Sequence, residues 1–165
     1  MDTTSLIRSL ALNDKVLQYL RSIRRHTAVF ELWNTVPDAN VNCGCHPDIV
    51  DWLWVTVGHT LPKDCRCLIH RCPALVHPES GIIFAIAMGM QHGLRVPQSL
   101  HAEAIAAGAK TVCNWGADDS TDIKLELGDD WFFGFGGPVE IALIGLAYTE
   151  FGPLEGEQVN MTRQP

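Results

Sequence analysis

The chain has 165 residues, a mass of 18.2 kDa and 47% hydrophobic residues, enough for one domain with a full core and no sign of a second. A formal net charge of -7 and a pI of about 5.4 exclude a nucleic-acid surface spread over the whole molecule, because phosphate binding needs a basic face. The charge is uneven: residues 1–25 carry a net +3 and residues 118–157 a net -9, which reads as a basic first helix and a solvated acidic C-terminal face.

The opening MDTTSLIRSL has no basic stretch leading into an unbroken apolar run, so it does not read as a signal peptide. The longest near-apolar run, GIIFAIAMGM, is too short to cross a bilayer. The expectation is a soluble cytoplasmic protein without a membrane partner, whose six cysteines are thiols or metal ligands rather than disulfides.

In chain order, residues 5–25 carry apolar positions at helical spacing (Leu6, Leu10, Val16, Leu20, Ile23), with Asn13–Asp14 a point where the helix can break. TAVFELW (27–33) is rich in β-formers and predicts an edge strand. NTVPDANVNCGCHP is turn-prone. DIVDWLWVTVG (48–58) fits helix or strand. Pro47 at its start and the four-residue spacing of Ile49, Leu53 and Val57 favour helix.

GIIFAIA (81–87) is apolar at every position after the glycine, the pattern of a central strand covered on both faces. LRV returns as its hairpin partner before Pro97. SLHAEAIAAGA (99–109) predicts a short helix capped by Ser99, TVCNW a strand, and DIKLEL a half-buried strand. WFFGFG follows the turn GDD, and GPVEIALIGLAYTEFG (137–152) predicts the closing helix, with Pro138 in its first turn and Gly152 just past its end. Residues 153–165 form a polar tail. Helices at both ends of an antiparallel strand set predict a single two-layer α+β domain over 1–152, mainly antiparallel sheet packed against helices.

Chemistry-bearing residues concentrate in two clusters: Cys43, Cys45 and His46, then Cys65, Cys67, His70 and Cys72. Together they offer the soft ligands of a tetrahedral zinc site. Both pairs are Cys-x-Cys, however, rather than the Cys-x2-Cys knuckle that lets a turn aim two sulfurs at one ion. In an extended chain Cys65 and Cys67 would share one face. The competing account is six small buried hydrophobes. Cys72 with His70 or His77 is a candidate thiol–imidazole pair, although no nucleophile signature surrounds it. GFGG (134–137) matches no phosphate-loop spacing and reads as a turn, as do Asp118, Asp119 and Asp122. Trp131 and Phe133 are candidates to line a pocket, and Arg21, Arg24 and Arg25 to face a partner.

The order HPESGIIFAIAMG, GLRVP, AEAIAAGA, ELGDDWFFGFG and EIALIGLAYTEFG, spanning about residues 47–151, resembles two groups. One is a luciferase-like domain of unknown function; the other is the small YjbR-like α/β fold, likened to a double-wing DNA-binding domain. The shared features fall on Phe84-Ala85, Leu94-Arg95-Val96, the helix at 99–107, Trp131 and Tyr148. Ile82 or Ile83 stands where the YjbR-like pattern favours a lysine, and the cysteine clusters lie outside the pattern. The resemblance implies a fold and no defined chemistry. The resulting expectation is a non-catalytic domain without a cofactor, binding a small molecule or a protein. Nucleic acid is disfavoured as a partner, and a homo-oligomer is left open. The alternative is a zinc-binding or cysteine-dependent enzyme or redox protein.

Overall fold

The computed structural model describes residues 3–23, 30–32, 47–57, 59–70, 72–88, 91–111, 113–114, 122–123, 127–133 and 137–152. Its centre is the apolar run anticipated as a two-sided strand. Ile83–Met88 (β4) lies between Cys72–Val76 (β3) and Gln91–Arg95 (β5), and Ile83, Phe84, Ala85, Ile86 and Ala87 are all buried. Phe30–Leu32 (β1) forms one edge, next to Arg66–Ile69 (β2), and Trp131–Phe133 (β8) pairs with β5 at the other. Every pairing in this order, β1-β2-β3-β4-β5-β8, is antiparallel. Cys113–Asn114 (β6) and Asp122–Ile123 (β7) pair separately, as a two-stranded ribbon.

Helices cover the sheet. Pro47–Asp51 (α3) runs into a π-helical segment at Trp52–Val57, so the helix anticipated over 48–58 is α-helical only at its start. His101–Ala106 (α4) and Pro138–Glu150 (α5) complete that layer. Their Val50, Leu53, Trp54, Ala104, Leu143 and Ile144 pack on Leu68, Leu75, Ala85, Leu94 and Phe132. The result is a two-layer α+β domain of antiparallel sheet and packed helices. Thr3–Ser9 (α1) and Asp14–Ile23 (α2) are laid across the sheet's other side, where Ile7, Val16 and Leu20 meet Ile69, Val76, Ile86, Trp131 and Phe133. The expected break at Asn13–Asp14 is a 3-10 turn at Ala11–Asn13. Among the described residues no helix is long and apolar enough to cross a membrane.

Two local features depart from strand alternation. Val76 pairs with Ile83 and Leu75 with Ala85, so Phe84 is an extra residue, a bulge that places Phe84 and Ala85 in the same core. The cap anticipated at Ser99 is absent: Leu100 precedes α4, and the Ser99 hydroxyl donates instead to Glu150 at 3.1 Å. A 3-10 turn at Gln98–Leu100 moves the helix start past the serine.

The N-terminal helices are tied down where β4 extends beyond β5. The β4–β5 register begins at Ala85–Leu94, which leaves the Ile83 peptide without a strand partner on that side. Asn13, with no exposed surface, supplies one: its Oδ1 accepts from Ile83 N at 3.0 Å. Its Nδ2 donates to Gly81 O at 2.8 Å and to Ile7 O at 2.9 Å. Arg95, only 3% exposed, donates from Nε to Ile83 O at 3.0 Å and from Nη2 to Leu12 O at 3.1 Å. Gly81, at φ 79, lets the turn approach α1 so closely that a Cβ there would stand 2.9 Å from the Leu6 backbone.

Replacing Asn13 by leucine keeps the volume but strands three buried groups, each costing roughly 1–3 kcal/mol. The Asn13→Leu protein is expected to melt about 10 °C lower, by the usual scaling for a chain of this size. Thermal unfolding followed by circular dichroism checks this, and an unchanged midpoint would refute the latch.

Candidate functional site

One buried carboxylate stands out. Gly137 at φ 80 and Pro138 start α5, so Glu140 is the third helical residue, where unpaired first-turn amides favour negative charge. Its side chain is 1% exposed. Trp52 opens the π-helical segment, and its indole Nε1 donates to Glu140 Oε2 at 3.2 Å. His92 comes from β5 opposite Ala87, on the face that α5 covers, and its Nε2 bonds Glu140 Oε1. The two rings are inclined at 49° with centroids 6.4 Å apart.

This arrangement has a defined chemistry. His92 meets the carboxylate through Nε2, which leaves Nδ1 as the ring's second polar atom. The His92 side chain is 12% exposed, so the ring spans from the buried carboxylate to the surface. Glu140 is therefore satisfied by hydrogen bonds from an indole and an imidazole, and no lysine or arginine neutralises it among the described residues. Three segments far apart in sequence meet here. The sequence reading missed them as a set, although a single carboxylate inside the apolar run PVEIALIGLAY is the signal that could have found Glu140.

The sequence-based candidates lie elsewhere. Cys65 ends a 3-10 turn at Lys63–Cys65 and joins the core under α5, whereas Cys67 and Cys72 face α1 and α2. The shared face expected for Cys65 and Cys67 is thus corrected, because the turn breaks strand alternation. All three are carried as buried thiols. Burial, and then Asp64, push the Cys65 thiol up to about 12; burial alone pushes Cys67 to about 12. Neither is a thiolate near neutrality.

His70, at φ 49, opens the two-residue connection between β2 and β3, so it does not share a strand with Cys72. His77 stacks on Tyr148, which packs against the α5-side core, while Cys72 belongs to the opposite core. Cys43, Cys45, His46, Arg24 and Arg25 lie outside the described residues. Among the described residues, no group of three or more His, Cys, Asp or Glu is arranged to hold a metal ion. Trp131 and Phe133 are buried, Trp131 lies under the Arg95 guanidinium at 5.0 Å, and Arg21 is exposed on α2.

Comparison with protein-family models, with curated proteins and with solved structures finds no match.

His77 is another perturbed group, with a structural role. Its Nδ1 accepts from the amides of Glu79 at 3.2 Å and Ser80 at 3.3 Å, which requires that nitrogen to be unprotonated. Burial lowers its pKa from 6.5, against smaller opposing effects of Glu79 and Asp64. The unfolded chain therefore takes up a proton near its ordinary value that the fold refuses. The stability this group contributes is complete above about pH 6.5 and is lost as the pH falls below it. The midpoint of the native protein is expected to fall more steeply between about pH 7.5 and 5.5 than that of His77→Gln, whose amide oxygen can still accept. Parallel slopes in a pH series of thermal melts would contradict this.

Proposed function

We propose that this small globular domain acts by binding, and that a small polar ligand is taken where Trp52, Glu140 and His92 meet. The observation that carries the reading is a fully buried carboxylate that holds the indole of Trp52 and the imidazole of His92, whose side chain is 12% exposed. A carboxylate so far from water is costly unless hydrogen-bonded, and here its bonds go to two side chains from distant segments. An aromatic face beside a fixed acceptor gives both contact area and direction.

The reading is of a non-catalytic, cytoplasmic protein, and the buried thiols of Cys65 and Cys67, held well above neutrality, support its non-catalytic part. Kinship with the luciferase-like and YjbR-like groups belongs to the same proposal. Its support is the order of β4, β5, α4, β8 and α5. Docking of a protein, or of a second copy, through the exposed side of α2 at Arg21 would be a separate activity. The alternative, zinc or thiol chemistry at the cysteine clusters, requires metal that copurifies with the protein and is lost, together with thermal stability, in Cys67→Ala.

A fragment screen by protein-observed NMR tests the binding site. Small hydrogen-bond donors are expected to shift the Trp52 indole and His92 ring signals, and His92→Ala is expected to weaken them about tenfold. Fragments that bind only elsewhere would refute the assignment.

A further inference from the structure

We propose that the connection between β3 and β4 is an acid-operated hinge: protonation of His77 opens it and releases α1 and α2 from the sheet. The connection is closed by His77 N donating to Ile82 O at 2.9 Å and by Gly81 N donating to His77 O at 2.8 Å. Within it the Ser80 hydroxyl accepts from Ile82 N at 3.3 Å, and His77 Nδ1 accepts from the amides of Glu79 and Ser80. The neutral ring therefore carries its proton on Nε2. A second proton goes to Nδ1, where two N–H groups already point at it.

The same connection seats the N-terminal helices. Gly81 lies against the Leu6 and Ile7 backbone, and its carbonyl accepts from Asn13 Nδ2 at 2.8 Å. On the other side of the sheet the imidazole stacks on Tyr148 of α5, with ring centroids 4.6 Å apart. Its Nε2 lies 3.2 Å from where a Cβ on Gly152 would stand. The ring is thus backed by the end of α5, and the turn is the part that yields when Nδ1 gains a proton. Displacement of the Glu79–Ser80 amides carries Gly81 with it, and Gly81 is what α1 and Asn13 hold. The packing of Leu143 and Ile144 of α5 on the sheet does not pass through this turn.

The surrounding charges do not reverse this. Burial holds His77 below its ordinary value, and Glu79 in the connection and Asp64 in the turn before β2 oppose it more weakly. Tyr148 on α5 and Cys65 beside Asp64 are pushed up, chiefly by burial, and stay neutral in acid. The open connection has the ordinary histidine value, about 6.5, and the closed one a lower value. Opening is therefore indifferent to pH well above 6.5 and is favoured progressively below it.

Amide hydrogen exchange of the full chain, followed by NMR and corrected for the pH dependence of the chemical step, tests the hinge. Between about pH 7.5 and 5.5 the protection of α1 and α2 is expected to fall about fivefold to tenfold, while β5 and β8 keep theirs. In His77→Gln, whose amide oxygen accepts without titrating, α1 and α2 are expected to be equally protected at both pH values. If that variant does not fold, the wild-type contrast between the two helices and β5 decides the matter. Protection lost equally by all elements would overturn the hinge and leave His77 a general stabiliser. Unchanged protection of α1 and α2 in the wild type, or the same fall in His77→Gln, would overturn it too.

Discussion

The structure depends on how the backbone N–H and C=O of one residue are satisfied. At Ile83, strand β4 has outrun its neighbour β5, and a bare peptide between two helices and a sheet would be an unpaired polar group in a dry core. Asn13 takes its N–H and Arg95 its carbonyl, and both side chains also reach backbone of the N-terminal segment, at Ile7 and Leu12. The same four bonds therefore close the strand end and fix α1 and α2 on the sheet. Gly81 makes the approach sterically feasible. Without this junction the apolar side of the sheet, including Trp131 and Phe133, would lose its helical cover.

Arg95 and Glu140, two of the charged side chains buried among the described residues, are compensated differently. Burial lowers the Arg95 pKa to about 10, so it stays protonated at neutral pH, with its charge spread over two carbonyls and the face of Trp131. All of these partners are internal, which is the pattern of a structural ion. Glu140 is held by an indole and by the imidazole of His92, whose side chain is 12% exposed.

The sequence conveyed those features that depend on composition along a single stretch. The apolar run of β4 identified a strand covered on both sides, Pro138 and Gly152 bracketed α5, and Asn13–Asp14 marked the helical break. It did not reveal that Asn13 breaks the helix in order to bond Gly81 and Ile83, because those partners lie 68 and 70 residues away. The faces of the cysteines were misjudged for a local reason: a single 3-10 turn before β2 sends Cys65 and Cys67 into different cores. The Trp52–Glu140–His92 site was illegible as a unit. Its members stand 88 and 48 residues apart, and the π turn that begins at Trp52 has no periodicity of its own to read.

The extra residue at Phe84 introduces a phase slip into the middle of the sheet. Toward Ile83 the inward and outward positions follow one parity; from Ala85 onward they follow the other. A substitution in β4 changes only volume, but the loss of a single residue would put the two halves back in step. Ile83 and its peptide would then be carried out of reach of Asn13 and Arg95. Length at this point is thus a stricter inheritance than side-chain identity, and variation in β4 should proceed by exchange of residues rather than by gain or loss of one.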